Sequence, residues 1–167
     1  MLWLRTLLFV LVLPGTIAVY LPAAIVSGTG AALPAGLSGR WLALLPGGAG
    51  IAIVAACMAD FVRSGRGTPA PIDPPKHLVV RGPYRWSRNP MYVGVLALLG
   101  AEALLFASSA LAGYAAAVGL AFHAFVVLYE EPTLRRRFGE AYADYCRVVP
   151  RWIPRRRGGA VDLREGA

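Results

Sequence analysis

Four stretches of this chain are almost free of charge: Leu2 to Val26, Trp41 to Val62, Met91 to Phe106 and Ala110 to Tyr129. Apolar blocks of about 20 residues match the hydrocarbon thickness of a bilayer when they are helical. Lipid offers no partner for a free N–H or C=O, so only helices and closed barrels cross it. Runs of this length select helices. The expected fold is therefore all-α: a polytopic membrane protein with about four transmembrane helices, a single domain over residues 1–167. The low charge agrees, at 16% of residues against roughly 25% in soluble domains.

The first stretch, 2–26, has Arg5 as its only charge, and Leu7 to Leu13 imitates the core of a signal peptide. No small-x-small cleavage site follows, and apolar residues continue past Pro14 and Pro22, so a retained span is expected. The second, 41–62, has Trp41 as an interfacial anchor at one end and Asp60 with Arg63 at the other. Its Pro46-Gly47-Gly48-Ala49-Gly50 cluster follows no strand and does not match a dinucleotide fingerprint. It predicts packing or a kink. The third, 91–106, is short, and Ala107-Ser108-Ser109 can turn tightly into the fourth, 110–129. A C-terminal helical hairpin results, with Gly94, Gly100, Ala101, Gly113, Ala116 and Gly119 letting its helices approach. Glu102 and His123 fall inside it, and a mutual contact or backbone hydrogen bonds would satisfy them.

Glu130-Glu131-Pro132 closes the fourth span. Beyond it Leu134, Phe138, Tyr142, Tyr145 and Val149 recur every three or four residues. That spacing predicts an amphipathic interfacial helix over 132–147, set off from the span by a bend at Pro132. Val148 to Pro154 breaks this helix and returns Trp152 to the membrane, and 155–167 reads as a disordered tail. Basic residues set the orientation. Segment 63–90 carries Arg63, Arg66, Lys76, Arg81, Arg85 and Arg88; 130–167 is also strongly basic; 27–40 and 107–109 hold only Arg40 between them. Both termini and both polar segments are then cytoplasmic. The net charge of +8 belongs to this membrane pattern, so no nucleic-acid partner is expected. Cys57 and Cys146 lie too far apart in character and sequence for a disulfide or a metal site, and no metal is implied.

The polar residues concentrate where they can cooperate. Arg81 to Gly94 reads R-G-P-Y-R-W-S-R-N-P-M-Y-V-G, at the cytoplasmic mouth of the third span. Glu130 and Glu131 leave the fourth at similar depth, with His123 two turns deeper on the same face. An arginine fork suits a carboxylate and a glutamate accepts an ammonium. The pattern fits a ligand that is zwitterionic at one end and apolar or cationic in its body, and S-adenosylmethionine is such a ligand.

Residues 76–154 resemble the integral membrane methyltransferases that include isoprenylcysteine carboxyl methyltransferases and phospholipid N-methyltransferases. The resemblance rests on G-P-Y at 82–84, R-N-P-M-Y at 88–92, E-E at 130–131, F-G-E-A-Y-A-D-Y at 138–145 and V-P at 149–150. It implies an S-adenosyl-L-methionine site in which His77, Leu78, Val79 and Val80 run along the cofactor. Tyr84, Arg88, Asn89, Pro90 and Tyr92 form the next wall, and Glu130 with Glu131 holds the amino-acid end. Arg88, Asn89 and Tyr92 are the implied catalytic residues. Prenylcysteine enzymes carry His where this chain has Asn89, which cannot titrate near neutrality. The implied acceptor is lipophilic (a prenylcysteine-like carboxylate, a thiol or a lipid amine) and enters from the bilayer among membrane lipids. Two other readings stay open: an NADPH-dependent membrane reductase of sterol or enone type, and a non-catalytic membrane protein that keeps the fold.

Overall fold

The computed structural model describes residues 14–33, 35–36, 38–63, 78 and 80–153. The start of the expected first span, residues 64–77 and the expected tail 155–167 lie outside the described residues. What is described is helix and connecting loop, with no strand among the described residues. Helix α1 is Thr16–Thr29 and ends at Gly30, whose φ of 67° suits glycine. A 3-10 turn, Gly39–Ala43, is capped by the Ser38 side chain and leads into α2, Leu44–Arg63. A second 3-10 turn, Gly82–Arg85, precedes α3, Pro90–Leu105. Helix α4 is Ser109–Phe138 and α5 is Glu140–Val148. Two helical stretches, Gly39–Asp60 and Ser109–Phe138, are long and apolar enough to cross a membrane; Thr16–Thr29 and Pro90–Leu105 are apolar but shorter.

Helix α4 is not interrupted at Pro132. Glu131 has ordinary helical angles, φ −61° and ψ −45°, and the helix continues to Phe138. Residues Val126–Glu130 instead form a π turn, closed by the Glu131 N–H bonding the Val126 carbonyl. A proline inside a helix lacks the N–H and pushes against the carbonyl four residues back. A wider turn immediately before it makes room, at the cost of one extra residue per turn. The same device appears in α1, where the π turn Thr16–Tyr20 precedes Leu21-Pro22. There the Ile17 carbonyl, whose i+5 partner would be Pro22, accepts instead from the Tyr114 hydroxyl at 2.9 Å. A side chain from α4 thus satisfies a carbonyl that a proline in α1 leaves free.

The break falls at Gly139, with φ 53° and ψ −126°, a region closed to side-chain-bearing residues. The expected helix 132–147 is therefore split: its first part extends α4 and its second is α5. The apolar stripe of α5 meets protein as well. Tyr142, Tyr145 and Val149 are buried against Leu78, Val80, Leu134, Phe138 and Cys146.

A close backbone approach joins α2 and α3. A β-carbon on Gly50 would lie 2.5 Å from the Gly94 carbonyl oxygen, and one on Gly94 would lie 2.8 Å from the Gly50 oxygen. Gly47 faces Ala101. The glycine cluster is thus a packing surface for α3, and Gly94 and Ala101 meet α2 there. Gly119 packs on Leu96 of α3, whereas Gly100 and Gly113 have open space. Ala18, Val95 and Leu99 form the buried centre, with Val54, Tyr114 and Phe122 around them, so α1 to α4 converge there. The outer faces are apolar and exposed, Leu120 at 73% and Leu128 at 77%, as lipid-facing surfaces are.

Candidate functional site

The polar residues gather where the C-terminal end of α2, the loop 81–89, the end of α4 and the segment after α5 meet. Pro90 opens α3 and is buried, so the loop must present its polar groups immediately before the helix begins. Tyr84 lies in the 3-10 turn and shares a hydrogen bond with the Cys57 thiol of α2. Gly82 (φ 54°) sits so close to Asp60 that a β-carbon there would collide with the carboxylate. The Tyr145 hydroxyl donates to the Tyr84 carbonyl at 2.7 Å, tying the loop to α5.

At the centre is Glu131. Its Oε1 lies 3.0 Å from Arg88 Nη1 and 2.7 Å from Arg151 Nε, and its Oε2 accepts from Arg151 Nη2 at 3.0 Å. Arg151 therefore forks onto the carboxylate while Arg88 approaches one oxygen from the other side. The Arg88 and Glu131 side chains are only 12% and 9% exposed. Arg88 Nη1 also points to the Cys146 sulfur at 2.8 Å. Its Nε is buried with no hydrogen-bond partner among the described residues. The hydrogen bond to Glu131 holds the Arg151 pKa above its ordinary value, against a smaller opposing effect of desolvation, so Arg151 is a permanent cation.

Glu130 faces a different partner. Its Oε2 accepts from the Tyr92 hydroxyl at 3.1 Å, and the Tyr92 ring lies 4.6 Å from Phe122, which fixes the phenol between α3 and α4. The adjacent glutamates thus split: one is held by two guanidinium groups, the other by a phenol. Tyr84 is neutral under any ordinary condition. Burial pushes its pKa well above the usual value, and charge on Cys57, Glu130 and Tyr145 adds to the effect.

Asn89 is buried, and its amide donates to the Arg151 carbonyl at 3.1 Å. Ser87 donates to the same carbonyl at 3.1 Å, and the Arg88 N–H bonds the Pro150 carbonyl at 2.9 Å. Of the remaining expected site residues, Leu78 and Val80 pack on the α5 cluster, while His77 and Val79 lie outside the described residues.

His123 does not join the site. It is exposed, its ring 6.1 Å from Trp152, because the π turn shifts the helix by about one residue, or about 100°. Residues seven apart across that turn no longer share a face. Nor does His123 meet Glu102, whose Oε2 is buried without a hydrogen-bond partner among the described residues. Arg151 is the residue that sequence reasoning passed over. The only hint was a cation wedged between Pro150 and Trp152 in a segment read as a helix breaker. Among the described residues no cluster of three or more His, Cys, Asp or Glu side chains can hold a metal ion.

The buried Arg88 Nε–H has no partner among the described residues, and Glu130, next in the chain to the ion-paired Glu131, accepts from the neutral Tyr92 hydroxyl. That donor set fits the carboxylate and ammonium of an amino-acid end group. Comparison with curated proteins and with solved structures yields no match. The family model of phospholipid methyltransferases, however, matches residues 40–141, which include α2, α3, α4 and the start of α5. With well over half of the chain matched, and Arg88, Tyr92, Glu130 and Glu131 all within it, this protein belongs to the phospholipid methyltransferase family.

Proposed function

We propose that the protein is an S-adenosyl-L-methionine-dependent methyltransferase acting on a lipophilic acceptor within the membrane. The observation that carries this reading is the division of labour at 130–131, beside Arg88, in a chain of this family. Glu130 would take the cofactor's ammonium and Arg88 its carboxylate, with Tyr84 and Tyr92 as neutral walls. Bound there, S-adenosylmethionine supplies an electrophilic methyl group on a sulfonium centre. The chain's own contribution is placement and exclusion of water. Tyr92 of α3, fixed by Glu130 and Phe122 of α4, forms one wall, and the loop 81–89, tied to α5 through Tyr145, would close the cytoplasmic side. The acceptor approaches from the bilayer past the exposed Leu128 and Tyr129 at the cytoplasmic end of α4. A carboxylate or thiolate acceptor needs no base; an amine must first lose a proton.

The test is binding and transfer with the purified full chain. Titration with S-adenosylmethionine should give saturable binding, and methyl-labelled cofactor with membrane extract should yield a labelled lipophilic product. Glu130→Gln should weaken binding about thirtyfold, equivalent to losing a charge-assisted hydrogen bond of about 2 kcal/mol. Binding of NADPH without S-adenosylmethionine would sink the reading in favour of a reductase.

A further inference from the structure

Arg151 stands outside the residues that match the family, which end at 141. Yet it meets the site through both its side chain and its backbone carbonyl. Its side chain forks onto both oxygens of Glu131 at 2.7 and 3.0 Å. Its carbonyl accepts from Ser87 and from Asn89, each at 3.1 Å. The preceding Pro150 carbonyl takes the Arg88 N–H at 2.9 Å. Two adjacent peptide carbonyls therefore bind the three residues Ser87, Arg88 and Asn89, while the guanidinium crosses to the end of α4.

This arrangement answers a difficulty in the site. Glu131 and Arg88 alone would form a closed one-to-one pair, neutral and self-satisfied. Arg151 supplies both oxygens of Glu131 with in-plane donors, so Arg88 needs only Nη1 to reach that carboxylate. The Arg88 Nε–H is left over, buried and without a partner among the described residues. A fork of this kind fixes a carboxylate plane as well as its charge, which a lysine cannot do.

We propose that Arg151 is a positioning residue for the cofactor site: it anchors Glu131 so that Arg88 meets that carboxylate through Nη1 alone and keeps Nε–H for an anionic group, while Glu130 takes a cationic one. Ser87 and Asn89 act through it, as the clamps that hold its backbone. This rests on the methyltransferase reading for the identity of the ligand, and on geometry alone for the clamp.

The experiment is a double-variant cycle on the full chain in detergent, using Arg151→Ala, Arg151→Lys, Glu131→Gln and the combination of Arg151→Ala with Glu131→Gln. Two quantities are read for each: the dissociation constant for S-adenosylmethionine and the melting temperature without it. Arg151→Ala should weaken binding at least tenfold, Arg151→Lys should recover only part of that loss, and Asn89→Ala should weaken binding in the same direction. In the Glu131→Gln background, Arg151→Ala should change affinity less than twofold. Wild-type affinity in Arg151→Ala, full recovery with Lys, or losses that multiply in the combined variant each overturn the proposal. If the wild-type protein binds no S-adenosylmethionine, the functional reading fails. The clamp is then judged on melting temperature alone, where independent shifts from Arg151→Ala and Glu131→Gln overturn it and shared ones sustain it.

Discussion

Two guanidinium groups on one nearly buried carboxylate make Glu131 the residue whose loss is hardest to absorb. Removing one partner of a buried ion pair costs about 3–5 kcal/mol, because it strands the remaining charge. Glu131→Ala should therefore lower stability by about that much, read as a fall in melting temperature in detergent. Tyr92→Phe deletes a single hydrogen bond to Glu130 and should cost about 1 kcal/mol by the same measurement. A larger loss for Tyr92→Phe than for Glu131→Ala would reverse the roles assigned to the two glutamates. At this scale the sequence was informative about residue types and silent about pairing. Arg88 and both glutamates stand out as charges at the mouths of apolar runs, and their chemistry limits what they bind. Asn89 drew attention as a hydrogen-bonding residue inside a motif, but its partner is a backbone carbonyl 62 positions away. Arg151 has no local pattern to mark it, since its importance comes only from the fold that returns it to Glu131.

The elements owe their shapes to prolines and glycines. Helix periodicity makes α2, α3 and α4 legible, and Pro132 announces a disturbance in α4. Whether a proline ends a helix or is absorbed by a wide turn depends on what holds the helix afterwards. Here Leu134 and Phe138 pack on the α5 cluster and keep the helix going. Pro132→Ala removes the reason for the π turn. The helix should revert to uniform α geometry, rotating Glu130 and Glu131 away from Tyr92 and Arg88. The expected outcome is a loss of S-adenosylmethionine binding of tenfold or more, with a fall in melting temperature from the broken Glu131 ion pairs. The α2–α3 crossing gives a second test. Gly94→Ala would meet Gly50 oxygen at 2.8 Å and Val54 Cγ2 at 2.9 Å, and overpacking of this kind costs about 1–3 kcal/mol. Gly100→Ala has open space and should gain up to about 1 kcal/mol from helix propensity. The sequence offered both glycines equally as small packing residues. Only the partner backbone distinguishes them.

For the whole molecule, the long apolar runs made the all-helical architecture legible before any coordinates were needed, while the basic residues set only an expected orientation. Among the described residues, Arg88, Asn89 and Tyr92 meet Glu130, Glu131 and Arg151 in one cluster. In the proposed four-span arrangement, a cysteine introduced at Ser108 should react with an impermeant thiol reagent from outside the cell, above the background of Cys57 and Cys146. One at Arg147 should react only after the membrane is opened. Labelling in the opposite sense would invert the topology. The shortness of α3 carries a consequence of its own. Sixteen residues, Pro90–Leu105, span about 24 Å, against a hydrocarbon core of about 30 Å. In the proposed arrangement, with the site at the cytoplasmic surface, the turn at Phe106–Ser108 would stop about 6 Å short of the opposite interface. Hydrophobic mismatch of this sign is relieved by thinning the bilayer around the turn. Such a dimple would bring water within about one helical turn of Glu102, whose Oε2 has no protein partner among the described residues. The protein should therefore be more stable in bilayers of short acyl chains than of long ones, and Glu102→Gln should weaken that preference.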